Sequence, residues 1–318
     1  MCALIPIITC NVKPETGTMH YYSYNKYLRE RFGEKVRKIS LNAGFACPNR
    51  DGTISTEGCV FCNEFGFSVG PQKTVSLKGQ IEASLAVCKK KFGNNKFIAY
   101  FQNGAGTNAG AKDLKTAYDV IKDYPEIVGL SISTRPDCID EEKLDMIAGF
   151  LTDYDVWIEY GVQTVHNKTL KNINRGHTFL ESFNAINLAA SRGIKVCAHV
   201  ILGLPGETQK DMMLTADEVS SLEVSGIKLH VLHVLTNTKL AEMYNKGCVD
   251  LLRREEYVKI VCSFLEKMKA PCVIMRLVSD AWENYLLAPD WIKNKQLVMY
   301  EIEKEFARRG TRQGCLRN

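Results

Sequence analysis

Three thiols set the first question. The stretch "CPNRDGTISTEGCVFC" (47–62) places Cys47, Cys59 and Cys62 at a C-x11-C-x2-C spacing in a Gly-rich, polar segment. A Cys-x2-Cys pair brings two thiolates to one metal centre, and the third closes the loop around it. Structural zinc takes four ligands, normally as two pairs of Cys or His. A second pair is missing, and the candidates for a fourth ligand, His20 and Cys88, are neither paired nor suitably spaced. Three thiolates fit a [4Fe-4S] cubane with one iron left free of protein, open to chelation by a small molecule. Zinc, or a chance cluster of buried thiols, is the alternative. Gly52 and Gly58 let the loop turn tightly. Phe61 either covers one face of a bound adenine or anchors the loop in the core.

The other nine of the twelve cysteines are scattered singly. They read as small buried hydrophobes, because a chain of 318 residues with a full core needs no disulfide framework. Hydrophobic content is 45% and charged content 24%, those of an ordinary globular protein. Apolar runs fall short of the roughly 20 residues of a membrane span. The start, "MCALIPIITC", lacks a basic region and a cleavage site, so it reads as mature chain rather than signal peptide. The expected location is cytoplasmic. Net charge is +5, unevenly spread: residues 1–46 hold 7 Lys/Arg against 3 Asp/Glu, and residues 250–318 hold 13 against 10. That leaves room for a polyanionic partner at the two ends, with a solvated mixed-charge surface as the alternative.

Strand-like and helix-like segments alternate around the cysteines. Strands are expected at 35–42, 96–102, 126–134, 156–164, 194–204 and 226–235, with helices at 77–92, 111–124, 140–152, 178–193 and 208–222 between them. Helical crossovers between short buried strands imply parallel pairing with right-handed connections. The expected fold is α/β, a (β/α)6 partial TIM-like barrel over 35–240. An N-terminal basic and aromatic segment (1–34) precedes it, and a small C-terminal α/β extension (241–318) follows, with helices at 254–268 and 293–310 and a strand at 272–278. Function gathers at the C-terminal ends of such strands. The cysteine loop, "QNGAGTNAG", "TRPD", "VQTVHN" and "GLPGET" follow strands one to five there.

With these residues in view, the chain resembles the radical S-adenosylmethionine (SAM) superfamily, closest to the bacterial group related to the Elongator catalytic subunit. The matches are "CPNRDGT…GCVFC", "YFQ", "STRPDC", "IEYGVQT", "TLKNINRGHT", "HVILGLPGET", "GIKLHVLHV", "EEYV" and "LLAPDW", in order along most of the chain. The resemblance implies a [4Fe-4S] cluster on Cys47, Cys59 and Cys62 that SAM chelates through its amino and carboxylate groups. It implies one-electron cleavage of SAM to methionine and a 5′-deoxyadenosyl radical, which abstracts a hydrogen atom from the substrate. An electron donor such as flavodoxin or ferredoxin is implied with it.

Carried over residue by residue, Gln102 and Asn103 stand where the family meets the methionine amino group, although "NGAGTN" replaces bulkier residues there. Glu159 stands where a polar side chain meets the SAM ribose; a carboxylate between Ile158 and Tyr160 in a buried strand needs a partner. Arg175 is placed for the SAM carboxylate, and Gly203 and Gly206 for backbone approach to the adenine. Arg135 is expected to contact SAM or substrate, neutralised by Asp137. Thr208 and Asp211 read as a helix-capping box. His199 and His233 read as satisfied core histidines, and at most one of His230 and His233 can point into the barrel.

The group's members lean toward tRNA, so the resemblance implies action on the C5 side chain of a wobble uridine. Tyr21, Tyr22, Tyr24 and Tyr27 beside Lys26, Arg29 and Arg31 offer RNA contacts, or else an amphipathic helix packed on the barrel. An acetyltransferase domain is not expected after the barrel. A radical enzyme acting on a small metabolite or porphyrin-like molecule, and a non-catalytic metal protein that binds RNA, are the other readings.

Overall fold

The computed structural model describes residues 19–63, 75–280 and 284–317. Among the described residues nine strands run in chain order: β1 (Val36–Leu41), β2 (Lys96–Phe101), β3 (Ile127–Thr134), β4 (Asp155–Gln163), β5 (Lys195–Leu202), β6 (Gly226–Val231), β7 (Val234–Leu235), β8 (Val273–Arg276) and β9 (Leu286–Ala288). Ten α-helices among the described residues accompany them: α1 (Tyr24–Phe32), α2 (Leu77–Phe92), α3 (Ala111–Asp119), α4 (Glu141–Ala148), α5 (Asn167–Asn172), α6 (Phe179–Ala190), α7 (Gln209–Ser221), α8 (Lys239–Asn245), α9 (Arg254–Lys267) and α10 (Lys295–Arg309).

Seven strands form one parallel sheet in the order β1-β2-β3-β4-β5-β6-β8, curled as a half-barrel. β7 and β9 form a small antiparallel pair. The fold is therefore the α/β partial barrel that the strand and helix alternation implies, with one strand more than six βα units provide. The seventh comes from the C-terminal extension: Val273 N–H donates to Ser225 O at 2.8 Å and β8 pairs with β6. Residue 240 thus does not divide the sheet.

β4 shows how the sheet sorts side chains. All nine of its residues are buried. Val156, Ile158, Tyr160 and Val162 face outward into a core shared with Leu144, Ile147, Ile186 and Ala189 of the surrounding helices. The alternate residues, from Trp157 to Gln163, face the lumen, as the two-residue period of a strand requires. Each aliphatic side chain buried in that outer core contributes about 1.5–3 kcal/mol.

The N-terminal segment closes the lower end of the barrel. Tyr24 and Tyr27 stack on each other and meet Trp157 edge-on, at centroid distances of 6.3 and 5.5 Å. The Tyr27 hydroxyl donates to Asp155 at 2.7 Å, and Asp155 also accepts from Trp157 Nε1 and Lys195. Tyr21 is buried and Tyr22 donates to Glu30. These four tyrosines are committed to packing and internal hydrogen bonds, the amphipathic-helix alternative for this segment. Among the described residues, no helix is long and apolar enough to cross a membrane.

Candidate functional site

The cysteine loop leaves the C-terminal end of β1 and is held from three sides. Internally, Arg50 and Asp51 N–H groups donate to Cys47 O, Cys62 N–H donates to Cys59 O at 2.9 Å, and Arg50 Nη2 reaches Cys62 O at 2.6 Å. Gly58, at φ 72°, lies under the Arg50 guanidinium, where an added Cβ would come within 2.8 Å. From the β4 side, Asn174 Nδ2 donates to Gly58 O at 2.7 Å and Asn49 Nδ2 to Asn174 O at 2.6 Å. From the β2 side, Ala105 N–H and Asn108 Nδ2 donate to Ala46 O. Gly104 passes so close that a Cβ there would stand 2.2 Å from Phe45 O. The loop is thus a layer between the loops that follow β2 and β4.

All three thiols are free; Cys59 is buried, while Cys47 and Cys62 are partly exposed. Burial, reinforced by Cys59, pushes the Cys62 thiol up to about 11. Zinc–thiolate bonds of about 2.3 Å would bring tetrahedral sulfurs to about 3.8 Å from one another. Among the described residues, Glu159, Cys197 and His199 are the one group of three whose ligand atoms all lie within 4.8 Å.

Cationic and donor groups surround the thiols. Arg175 is buried, its Nη2 donates to Gly161 O at 2.8 Å, and its Nη1 lies 3.6 Å from Cys59 Sγ. Arg135, 2% exposed, pairs through two nitrogens with Asp137 at 2.9 and 2.6 Å. Burial works against its charge, but Asp137 and the nearby Cys47 and Cys59 outweigh it and hold the guanidinium protonated. Arg135 Nη1, Arg175 Nε and His177 Nε2 are buried without a partner. The two orphaned guanidinium donors beside three thiols suit an anionic cluster and the carboxylate of a bound cofactor, while His177, whose Nδ1 donates to Thr178 O, presents Nε2 as an acceptor.

The remaining expected residues are placed unequally. Gln102 and Asn103 are half-buried at the end of β2, in the loop that packs on the cysteines. Phe61 lies in a satellite core with Leu170, Ile201 and Leu204, which anchors the loop to the ends of β5 and α5. Gly203 and Gly206 both adopt positive φ, 84° and 83°, in the turn after β5, and Thr208 and Asp211 form the expected capping box at the start of α7.

Glu159 requires a correction. Its carboxylate is fully buried inside the barrel, where it accepts from Lys38 at 2.5 Å, Ser131 at 2.6 Å, His199 at 2.8 Å and Tyr100 at 3.0 Å, and pairs with Lys228. Both oxygens are spent on these donors, so no edge remains for a ribose. Burial opposes its ionisation, but Lys228, Lys38 and His199 outweigh it and hold the carboxyl well below the usual range. The two ammonium groups also rule out a metal on Glu159 and His199.

Sequence reasoning missed Gln163. It ends β4 at a register shift, 8% exposed, in the left-handed conformation (φ 71°). A Cβ on Gly161 would strike both Gln163 Nε2 at 2.7 Å and Arg175 Nη2 at 2.5 Å, so the three converge at the mouth. A non-glycine residue held in that backbone region beside an arginine makes Gln163 a candidate site residue. The signal lay in "YGVQT": a glycine and an amide closing a buried strand.

Residues 46–219 match the radical SAM superfamily, and 224–308 the radical SAM C-terminal domain. The chain belongs to the radical SAM superfamily. The MJ0486 protein of Methanocaldococcus jannaschii is 40% identical over 93% of this chain and 92% of its own length. The tRNA uridine(34) acetyltransferase of the same organism is 32% identical over 42% of this chain and 25% of its own. Among solved structures, N-terminally truncated Elp3 of Methanocaldococcus infernus superposes with a TM-score of 0.66 at 19% identity, over 89% of this chain and 65% of that one. Radical SAM proteins use a [4Fe-4S] cluster and SAM, which together supply a 5′-deoxyadenosyl radical for hydrogen abstraction. The cysteine spacing and the orphaned donors fit both groups. Cys47, Cys59 and Cys62 would hold the cluster, and Arg175 and Gln163 would orient SAM over it.

Proposed function

We propose that this radical SAM enzyme acts on the C5 side chain of a tRNA wobble uridine. The observation that carries the reading is the 32% identity, over 137 residues, to a tRNA uridine(34) acetyltransferase. The fold shared with Elp3 agrees with it. A wobble base is unstacked and can be splayed into a pocket, which is how sequence-specific RNA recognition generally works. In this reading Cys47, Cys59 and Cys62 bind the cluster, and Arg175, Gln163 and the turn at Gly203 and Gly206 seat SAM. Arg135, held by Asp137, borders the cluster. The target base enters from the strand C-termini.

Two measurements test the reading. The reconstituted protein, reduced anaerobically with SAM, forms 5′-deoxyadenosine. Transfer RNA from a deletion strain then differs from wild type in its wobble uridine nucleosides; unchanged wobble uridines with intact deoxyadenosine formation redirect the enzyme to a small-molecule substrate. A protein that bound zinc and ignored SAM would overturn the radical chemistry itself.

A further inference from the structure

Inside the barrel the charges of the described side chains around Glu159 do not balance. Lys38 and Lys228 share a single carboxylate, Glu159. Two ammonium groups therefore meet one carboxylate among the described residues. Arg276, on the neighbouring β8, pairs with Asp280 at 2.7 Å. The cations around the cysteines, Arg50, Arg135 and Arg175, form a separate set, already disposed toward the cluster loop.

Geometry gathers the surplus around one unpartnered atom. Lys228 and Arg276 are register partners on β6 and β8. The register shift between Ile227 and Lys228 lets Met275 join the floor beside Trp157 while Arg276 turns toward His230. The His230 ring lies 5.4 Å from that of His199, and its Nε2 is buried with no hydrogen-bond partner. Burial, then Arg276, holds the His230 ring neutral, and burial with Lys228 lowers His199 to about 4, so neither ring adds charge. A neutral imidazole, which donates from Nε2 in the tautomer that carries its proton there, an adjacent guanidinium and a half-neutralised ammonium pair form a receptor for an oxyanion.

We propose that the barrel lumen binds an anionic group of the substrate, a carboxylate or a phosphate, through His230 and Arg276, with the surplus charge of Lys38 and Lys228 behind them. The inference rests on the reading of the lumen as the reaction chamber of a radical enzyme, not on the choice of RNA as substrate. It narrows the substrate to molecules that carry a negative group close to the abstracted hydrogen.

Thermal unfolding of the reconstituted protein with SAM tests it. Acetate and inorganic phosphate are titrated separately, with ionic strength held constant by chloride. Wild type gains a saturable rise in Tm of about 3 °C or more with at least one of the two. The rise falls by at least half in His230→Gln and in Arg276→Gln. A response to acetate alone assigns a carboxylate, to phosphate alone a phosphate, and to both an unselective oxyanion site. No saturable response, or one equally large in both variants, overturns the proposal. Deoxyadenosine formation in the same preparation separates this outcome from a failure of the radical reading.

Discussion

At the scale of the residue, the barrel depends on Glu159 as a hub. Removing its charge leaves Lys38 and Lys228 buried beside a neutral amide. Breaking a buried ion pair in this way costs about 3–5 kcal/mol. Glu159→Gln is expected to lower unfolding stability by that amount in urea. Because the folded pKa is depressed, the stabilisation is complete above the unfolded value, near 4.3, and is lost as pH falls through the folded value. Wild type should therefore lose its advantage over Glu159→Gln only below about pH 4. An advantage that vanished near pH 6 would contradict the geometry. Arg175 tests differently. Loss of a charge-assisted contact is worth about 1.5–3 kcal/mol. Arg175→Gln should weaken SAM binding roughly 10- to 150-fold while iron content stays that of wild type, as read from SAM-dependent changes in the cluster spectrum.

The residue scale is also where the sequence was least informative. A carboxylate in a buried strand announced that it needed a partner. Its partners did not announce themselves. Lys38 sits in "KVRKISLN" and Lys228 in "GIKLHV", where each reads as the polar half of an alternating strand. Their approach to Glu159 follows from curvature that brings β1, β4 and β6 around one lumen, a property no local pattern carries. The cysteine trio, by contrast, is a local spacing and could be read directly.

At the scale of the element, the cysteine loop exists because its neighbours leave it room. Gly104, at φ 61°, passes against Phe45 O. Gly104→Ala is expected to push the β2 loop off the cysteine loop and to cut iron per chain by at least half. Cooperative unfolding should remain, with a lower Tm. Full iron loading in that variant would mean the two loops are not packed as described. The strands themselves were legible as apolar runs between glycines and helices. The seventh was legible as a strand but not as a member of the sheet, because its pairing with β6 joins residues as far apart in sequence as Gly226 and Val273. The tyrosines of α1 were ambiguous for a similar reason: aromatic and basic residues suit an RNA surface and a barrel plug equally until Trp157 is placed beneath them.

At the scale of the whole molecule, the C-terminal residues complete the barrel. α9 and α10 pack Phe264, Leu265, Ile302 and Phe306 into the same core as β5 and β6. A chain ending at Asn245 would expose Ile227 and Leu229 together with the edge of β6. It is expected to lose cooperative unfolding and to be digested rapidly by protease, whereas the full chain resists. A stable, cooperatively folded fragment would show that the extension is an accessory.

The sheet order has a last consequence. Among the described residues β1 and β8 terminate the sheet without pairing to each other, and at the lower end the N-terminal segment, bridged from Ser23 to Ile274 and packed through α1 on Val36, stands between them. A closed cylinder accepts only what can be fed in from its end. A trough whose rim stays unjoined above that plug accepts a group that is still tethered at both of its neighbours. A nucleotide within an unbroken polymer could be laid in sideways and lifted out again, with no free terminus required.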